Sequence, residues 1–175
     1  VGIEIRASSV SGDVAIRGTA GEVSVNTVSG DLEVRDAGDR VELHTVSGDV
    51  QASKLRGRIR AESVSGDLTL EDITGEVKIN TVSGEAHVRG RLTGAEFEAV
   101  SGDFDFAGDF IGNGTFRVNT HSGDIRLTLP QNIGATLDLQ TFSGDVHTGY
   151  PLTLQPGEQP LSRRNQRMRF DVNGG

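Results

Sequence analysis

The sequence predicts an all-β fold, a single-domain parallel β-solenoid of about eight or nine coils with two main strands in each coil. Three observations predict it. Ser-Gly-Asp or Ser-Gly-Glu begins at Ser11, Ser29, Ser47, Ser65, Ser83, Ser101, Ser122 and Ser143, at spacings of 18 five times and then 21 twice. Between these marks, apolar residues alternate with variable ones. Residues 18 apart also keep their character, so apolar columns stay apolar and polar columns stay polar. Parallel stacking in register requires such columns, whereas a chain of antiparallel hairpins does not.

Each 18-residue unit divides into two runs of about nine. A weaker half-repeat marks the division: Ala20-Gly21-Glu22, Ala37-Gly38-Asp39, Leu55-Arg56-Gly57, Thr74-Gly75-Glu76 and Thr93-Gly94-Ala95. The run after each Ser-Gly-Asp reads apolar, variable, apolar, as in Leu32 and Val34 or Phe104 and Phe106. The run before it alternates in the same way, as in Val23 and Val25 or Ile59 and Ala61. A period of two with β-branched enrichment is strand. No helical period is sustained, so helix is not expected. Stacking at ~4.8 Å gives a rod on the order of 40 Å long. Right-handed winding is expected from the preference of parallel crossovers.

One outward column supports the register. It runs Arg6, Ser24, Glu42, Arg60, Lys78, Glu96, Arg117, Asp138, and opposite signs meet at most charged steps, Arg60 and Lys78 being the exception. Cross-strand pairs of this kind contribute ~0.2–1 kcal/mol each.

The recurrent Thr-x-Ser-Gly-Asp is read as a corner. Glycine supplies backbone freedom, and Asp and Ser accept hydrogen bonds from the turn. By parity from Val23 and Val25, the column Thr27, Thr45, Ser63, Thr81, Thr120, Thr141 points inward, where its hydroxyls can bond to one another or to the corner backbone. A residue repeated in every coil maintains geometry, whereas a catalytic residue occurs once. The column Asp13, Asp31, Asp49, Asp67, Glu85, Asp103, Asp124, Asp145 stacks like charges ~5 Å apart. Turn hydrogen bonds and solvent can offset the repulsion, as could bridging calcium. The paired glycines of calcium-binding β-rolls are absent, so no metal is expected.

The regularity breaks at 108–114 and at 129–133, both read as enlarged half-repeat corners. After Tyr150 the pattern lapses around Pro151, Pro156 and Pro160. Residues 168–172 read as a final strand, with Asn173-Gly174 in the place of Ser-Gly. Residues 1–150 are therefore assigned to the coils and 151–175 to an irregular loop with a final strand or cap of the same domain. Residues 161–175 carry a net charge of +3 within a chain of net −8. This basic tail could dock on the acidic rod, touch membrane phosphates or remain solvated. The chain begins at Val1 without methionine and both ends read as cuts, so a targeting segment is expected outside it.

Composition excludes several functions. Without cysteine there is no disulfide framework, thiol nucleophile or thiolate metal site. No apolar run approaches the ~20 residues needed to span a membrane. An acidic chain, with pI near 4.9, is a poor partner for nucleic acid. Gly-x-Ser-x-Gly, Walker and His-Glu-x-x-His sequences are absent, and no cofactor is expected. His87 and His147 share an outward column three coils apart, too far for one zinc ion, and read as solvated.

The candidate contact surface is one pair of columns. The residue before each Ser forms a stripe that includes Val28, Val46, Val64, Val82 and Val100. Strict alternation puts it outside, as a contact surface, whereas a bulge at the corner would turn it into the core. Beside it runs a polar ladder that includes Asn26, His44, Glu62, Asn80 and Glu98. Such a ladder suits a repetitive ligand, and equally a solvated face.

The recurring unit Thr27-Val28-Ser29-Gly30-Asp31-Leu32-Glu33-Val34 resembles the bacterial adhesin-type, LiaG-like β-strand repeat domains, as does the strand leading to Asn173-Gly174. The resemblance covers nearly the whole chain. It implies a β-solenoid of the cell envelope or extracellular face, held by a signal or membrane tether outside these residues, and it supplies no catalytic residues. Glu85 in place of Asp, Ala99 in place of Thr and the wide last coils depart from the pattern.

Three functions follow as expectations. The first is a non-enzymatic adhesion or scaffold module with a protein or glycan partner in the envelope. The second is a polysaccharide-binding or polysaccharide-cleaving β-helix, for which Arg89, Arg91, Asp103 and Asp105 come nearest to an acid–base cluster, each with a charge-pairing explanation. The third is a filament assembled by end-to-end stacking. An ice-binding array needs outward Thr-x-Thr, and the Thr column points inward.

Overall fold

The computed structural model describes residues 3–112, 114–130, 135–149 and 166–172. Among these residues every regular element is a strand. In chain order they are β1 (Glu4–Ser11), β2 (Val14–Thr19), β3 (Glu22–Ser29), β4 (Leu32–Ala37), β5 (Arg40–Ser47), β6 (Val50–Ser53), β7 (Arg56–Ser65) and β8 (Leu68–Ser83). There follow β9 (Ala86–Ser101), β10 (Phe104–Phe110), β11 (Thr115–Ser122), β12 (Ile125–Thr128), β13 (Ala135–Ser143), β14 (Val146–Thr148) and β15 (Gln166–Val172).

The strands stack as a parallel β-solenoid of about eight turns. One face is β1, β3, β5, β7, the later halves of β8 and β9, then β11 and β13. The other is β2, β4, β6, the earlier halves of β8 and β9, then β10, β12 and β14. Val23 pairs with Val41, Val41 with Ile59 and Ile59 with Val77, each 18 residues on. Ala95 pairs with Phe116, and Phe116 with Leu137, each 21 residues on. The extra residues are taken up at the half-repeat corner after Phe110, as expected. Most of the other enlarged segment, 131–134, lies outside the described residues.

The inward columns form one core along the rod. Val25, Leu43, Ile59, Leu70 and Ile79 are fully buried. Where the repeat widens, five phenylalanines fill the interior. Phe97 stacks on Phe104 with ring centroids 4.5 Å apart, and Phe116 lies 5.3 Å from both Phe106 and Phe110.

The Ser-Gly-Asp corner is fixed by two contacts between coils. Gly48 has φ +130°, and a Cβ there would stand 2.2 Å from the carbonyl oxygen of Gly30. Glycine thus stacks on glycine because the backbones approach too closely for any side chain. The turn also takes the Asp amide out of the strand ladder, and the Asp one coil earlier replaces its partner. Asp31 Oδ1 accepts the Asp49 N–H and Asp49 Oδ1 the Asp67 N–H, both at 3.0 Å. Repulsion between carboxylates ~5 Å apart in water is ~0.8 kcal/mol, less than the ~1.5–3 kcal/mol of a hydrogen bond to a charged acceptor. The column therefore stabilises the stack despite its charge. Glu85 breaks it: no such bond joins Glu85 and Asp103, and the longer side chain reaches His87 Nε2 at 3.2 Å.

The half-repeat corners are built differently. Asp36, Lys54 and Asp72 stand there at φ 53°, 55° and 53°, where Gly18 has φ 71°. Aspartate tolerates this left-handed region better than lysine does.

The C-terminal strand departs from the expectation. β15 pairs with β13 antiparallel, Ala135 opposite Val172 and Thr141 opposite Gln166. It is a cap on that face and not a further coil; Asn173-Gly174, read as standing in the place of Ser-Gly, lies outside the described residues. Alternation of period two encodes a strand and carries no direction. The loop expected at 151–164 and the arginines Arg163 and Arg164 lie outside the described residues.

Candidate functional site

The valine column faces outward. Val28, Val46, Val64, Val82 and Val100 are 46–54% exposed, while Thr27 beside Val28 is 4% exposed. The inward turn of these valines by a bulge, open from the sequence, is not what the chain does. Thr27 already fills the inward place before the corner, and the next inward residue is Leu32 after it. Val28 must then point outward. The stripe continues to His121 and Phe142, whose rings stack with centroids 4.9 Å apart and planes within 4°.

The inward hydroxyl column is buried throughout. Its later members bond to the corner backbone: Thr81 Oγ1 donates to the Ser83 carbonyl at 3.2 Å and Thr141 Oγ1 to the Gly123 carbonyl at 3.3 Å. The hydroxyls of Thr27, Thr45 and Ser63 have no partner.

Two residues before the valines stands the polar ladder, with Asn26, His44, Glu62, Asn80 and Glu98 in direct register. Residues i and i+2 of a strand point to the same side ~6.6–6.8 Å apart, so the two columns are the walls of a groove parallel to the rod axis. Its volume is about 590 Å³. Asn26, His44, Glu62 and Asn80 form one wall, Val46, Val64 and Val82 the other, and the hydroxyl column lies at its base. Val28, Val100 and Glu98 continue the columns outside this lining.

Glu62 organises the polar wall. His44 Nδ1 lies 2.8 Å from its Oε2, Arg60 Nε donates to its Oε1 at 2.8 Å, and Asn80 Nδ2 donates to the same oxygen at 3.4 Å. Burial pushes the Glu62 carboxyl upward. The Arg60 hydrogen bond, the charges of His44 and Arg60, and the Asn80 hydrogen bond more than offset it and hold the group below the ordinary glutamate range. The same pairing raises the Arg60 guanidinium. The sequence reading placed Arg60 only in a column along the rod. Its main partner is instead two residues along its own strand, a same-face spacing that the sequence already displays. Along that column Lys78 Nζ does meet Glu96 at 2.7 Å.

The residues nearest an acid–base cluster are engaged elsewhere. Arg89 lies 3.7 Å from Glu71, Asp103 Oδ1 accepts the Asp124 N–H at 2.8 Å, and Asp105 lies 3.9 Å from both His87 and Arg126. Arg91 lines a separate cleft of about 620 Å³ at the half-repeat corner, together with Asp36, Lys54, Arg56 and Asp72. That cleft was not legible in the sequence, because the half-repeat corner is irregular there. His87 and His147 do share a column, with Asp105 and Arg126 between them. Among the described residues no three His, Asp or Glu side chains gather as a metal-holding group, and no helix is long and apolar enough to cross a membrane.

Neither the curated proteins nor the solved structures contain a match to this sequence. A family profile does match it, over residues 4–167 and so over nearly all of the coils together with the start of the capping strand. With the stacked glycine corners and the parallel coils, that match identifies the chain as a member of the Toastrack DUF4097 family.

Proposed function

We propose that this domain is a non-enzymatic adhesion or scaffold module of the bacterial cell envelope or surface, binding its partner through the valine face. The outward valine stripe beside the polar ladder carries this reading. It offers one apolar and one polar contact group per coil, on a frame whose inward columns are buried. A stripe of half-exposed β-branched side chains is a recurrent cost in water and a ready source of binding energy. The envelope setting rests on the resemblance of the Thr-x-Ser-Gly-Asp units to adhesin-type repeats.

The filament alternative is disfavoured by β15, whose antiparallel pairing on β13 interrupts parallel stacking on that face. The cleaving alternative is disfavoured by the engagement of Asp103 and Asp105 in structural contacts.

The test is binding of the purified domain to isolated bacterial envelopes, comparing wild type with the triple variant Val46→Ser, Val64→Ser, Val82→Ser. Reburying half a valine contributes ~1 kcal/mol, so retention should fall by about tenfold or more with the circular dichroism spectrum unchanged. Equal retention by both proteins, or reproducible turnover of any envelope polymer, would count against the role.

A further inference from the structure

We infer that the groove between the polar ladder and the valine stripe binds a neutral β-linked polysaccharide lying along the rod axis, with one sugar ring per coil. The inference rests on the surface role proposed above and names its ligand class.

Pitch is the first reason. Contact groups recur once per coil, every ~4.8 Å. An extended peptide repeats a like-facing side chain every ~6.6–6.8 Å and falls out of register within two coils. A β-1,4-linked pyranose, spanned by bonds of about 1.5 Å, advances roughly 5 Å per ring and stays in step across the four coils from Asn26 to Asn80.

Chemistry of the walls is the second reason. A pyranose has C–H patches on its faces and hydroxyls at both edges, so the flip between successive rings preserves the match. Val46, Val64 and Val82 supply an apolar surface for the faces. Asn26, His44, Glu62 and Asn80 supply donors and acceptors for the edges. Asn80 Oδ1 is covered and has no partner. Turning that carboxamide toward a sugar hydroxyl gives up only its long 3.4 Å bond to Glu62.

Charge is the third reason. The only full negative charge in the lining is Glu62, already engaged by Arg60 and His44. No cation of the groove is free to take a carboxylate, and a chain of net charge −8 repels anionic polymers. The ligand is therefore neutral.

Titration calorimetry with defined β-1,4-linked glucose and N-acetylglucosamine oligomers of two to six rings tests this. Affinity should rise with length and level off near four rings. Val64→Ser and Asn80→Ala should each weaken the hexamer about fivefold or more, a β-1,4-linked glucuronate hexamer should bind no better than the neutral dimer, and Ile111→Ser, an exposed apolar residue at a half-repeat corner outside the stripe, should change nothing. If no neutral oligomer binds while envelope binding persists and depends on the valines, the glycan assignment is wrong and the surface role stands. Binding that ignores chain length or survives both groove variants also overturns the assignment. Failure of both assays removes the surface role as well.

Discussion

Asp49 Oδ1 accepts the backbone N–H of Asp67 at 3.0 Å, so a side chain of one coil closes the turn of the next. Asp49→Ala removes the only acceptor that this amide has and should lower stability by about 1–2 kcal/mol in urea denaturation. Glu85→Asp is the converse. It shortens the one side chain that fails to form the rung, and should raise stability by about 0.5–1 kcal/mol. A fall in stability for Glu85→Asp would mean that the carboxylate column is not what limits that corner.

Glycine stacking has a sharper signature. A Cβ at Gly66 would stand 2.3 Å from the Gly48 carbonyl oxygen, at φ +129°. Gly66→Ala should therefore cost at least about 2–3 kcal/mol. Gly38 has φ outside that region and open space around it, so Gly38→Ala should shift the melting temperature little. Equal effects at both positions would refute the close-approach explanation.

The buried hydroxyls separate into two kinds. Thr45 Oγ1 has no partner, whereas Thr141 Oγ1 donates to the Gly123 carbonyl at 3.3 Å. Thr45→Val removes an unsatisfied polar group and should stabilise by up to about 1 kcal/mol. Thr141→Val removes a bonded one and should destabilise by about 1 kcal/mol. Paired urea titrations read the difference in sign.

Glu62 makes stability depend on acid. Its folded carboxyl is held below the value it has in the unfolded chain. The unfolded state therefore binds the proton first as pH falls. The contribution is full above the ordinary glutamate range and is lost as pH drops through the lowered folded value. The stability gap between wild type and Glu62→Gln should thus be widest near neutral pH and narrow on acidification. A gap that does not change with pH would show that Arg60 and His44 do not hold the charged form.

The period of 18, the inward columns and the absence of a helical rhythm are visible in the letters because a parallel stack places each residue on its own counterpart. Every Ser-Gly-Asp then reports the same corner, and Thr27 is legible as buried from Val23 and Val25 alone. What alternation does not carry is direction or the behaviour of a corner. The antiparallel course of β15 on β13 is set by tertiary pairing and leaves no mark in the alternation. The outward turn of Val28 follows from the hydroxyl already seated inside. The pairing of Arg60 with Glu62 rather than along its column, and the half-repeat cleft beside Arg91, are set by how side chains and corners meet in space. Local pattern settled which residues are inside and how they repeat. Only the three-dimensional packing decided which neighbours each exposed group meets, because those contacts depend on distances across coils that no single stretch of chain encodes.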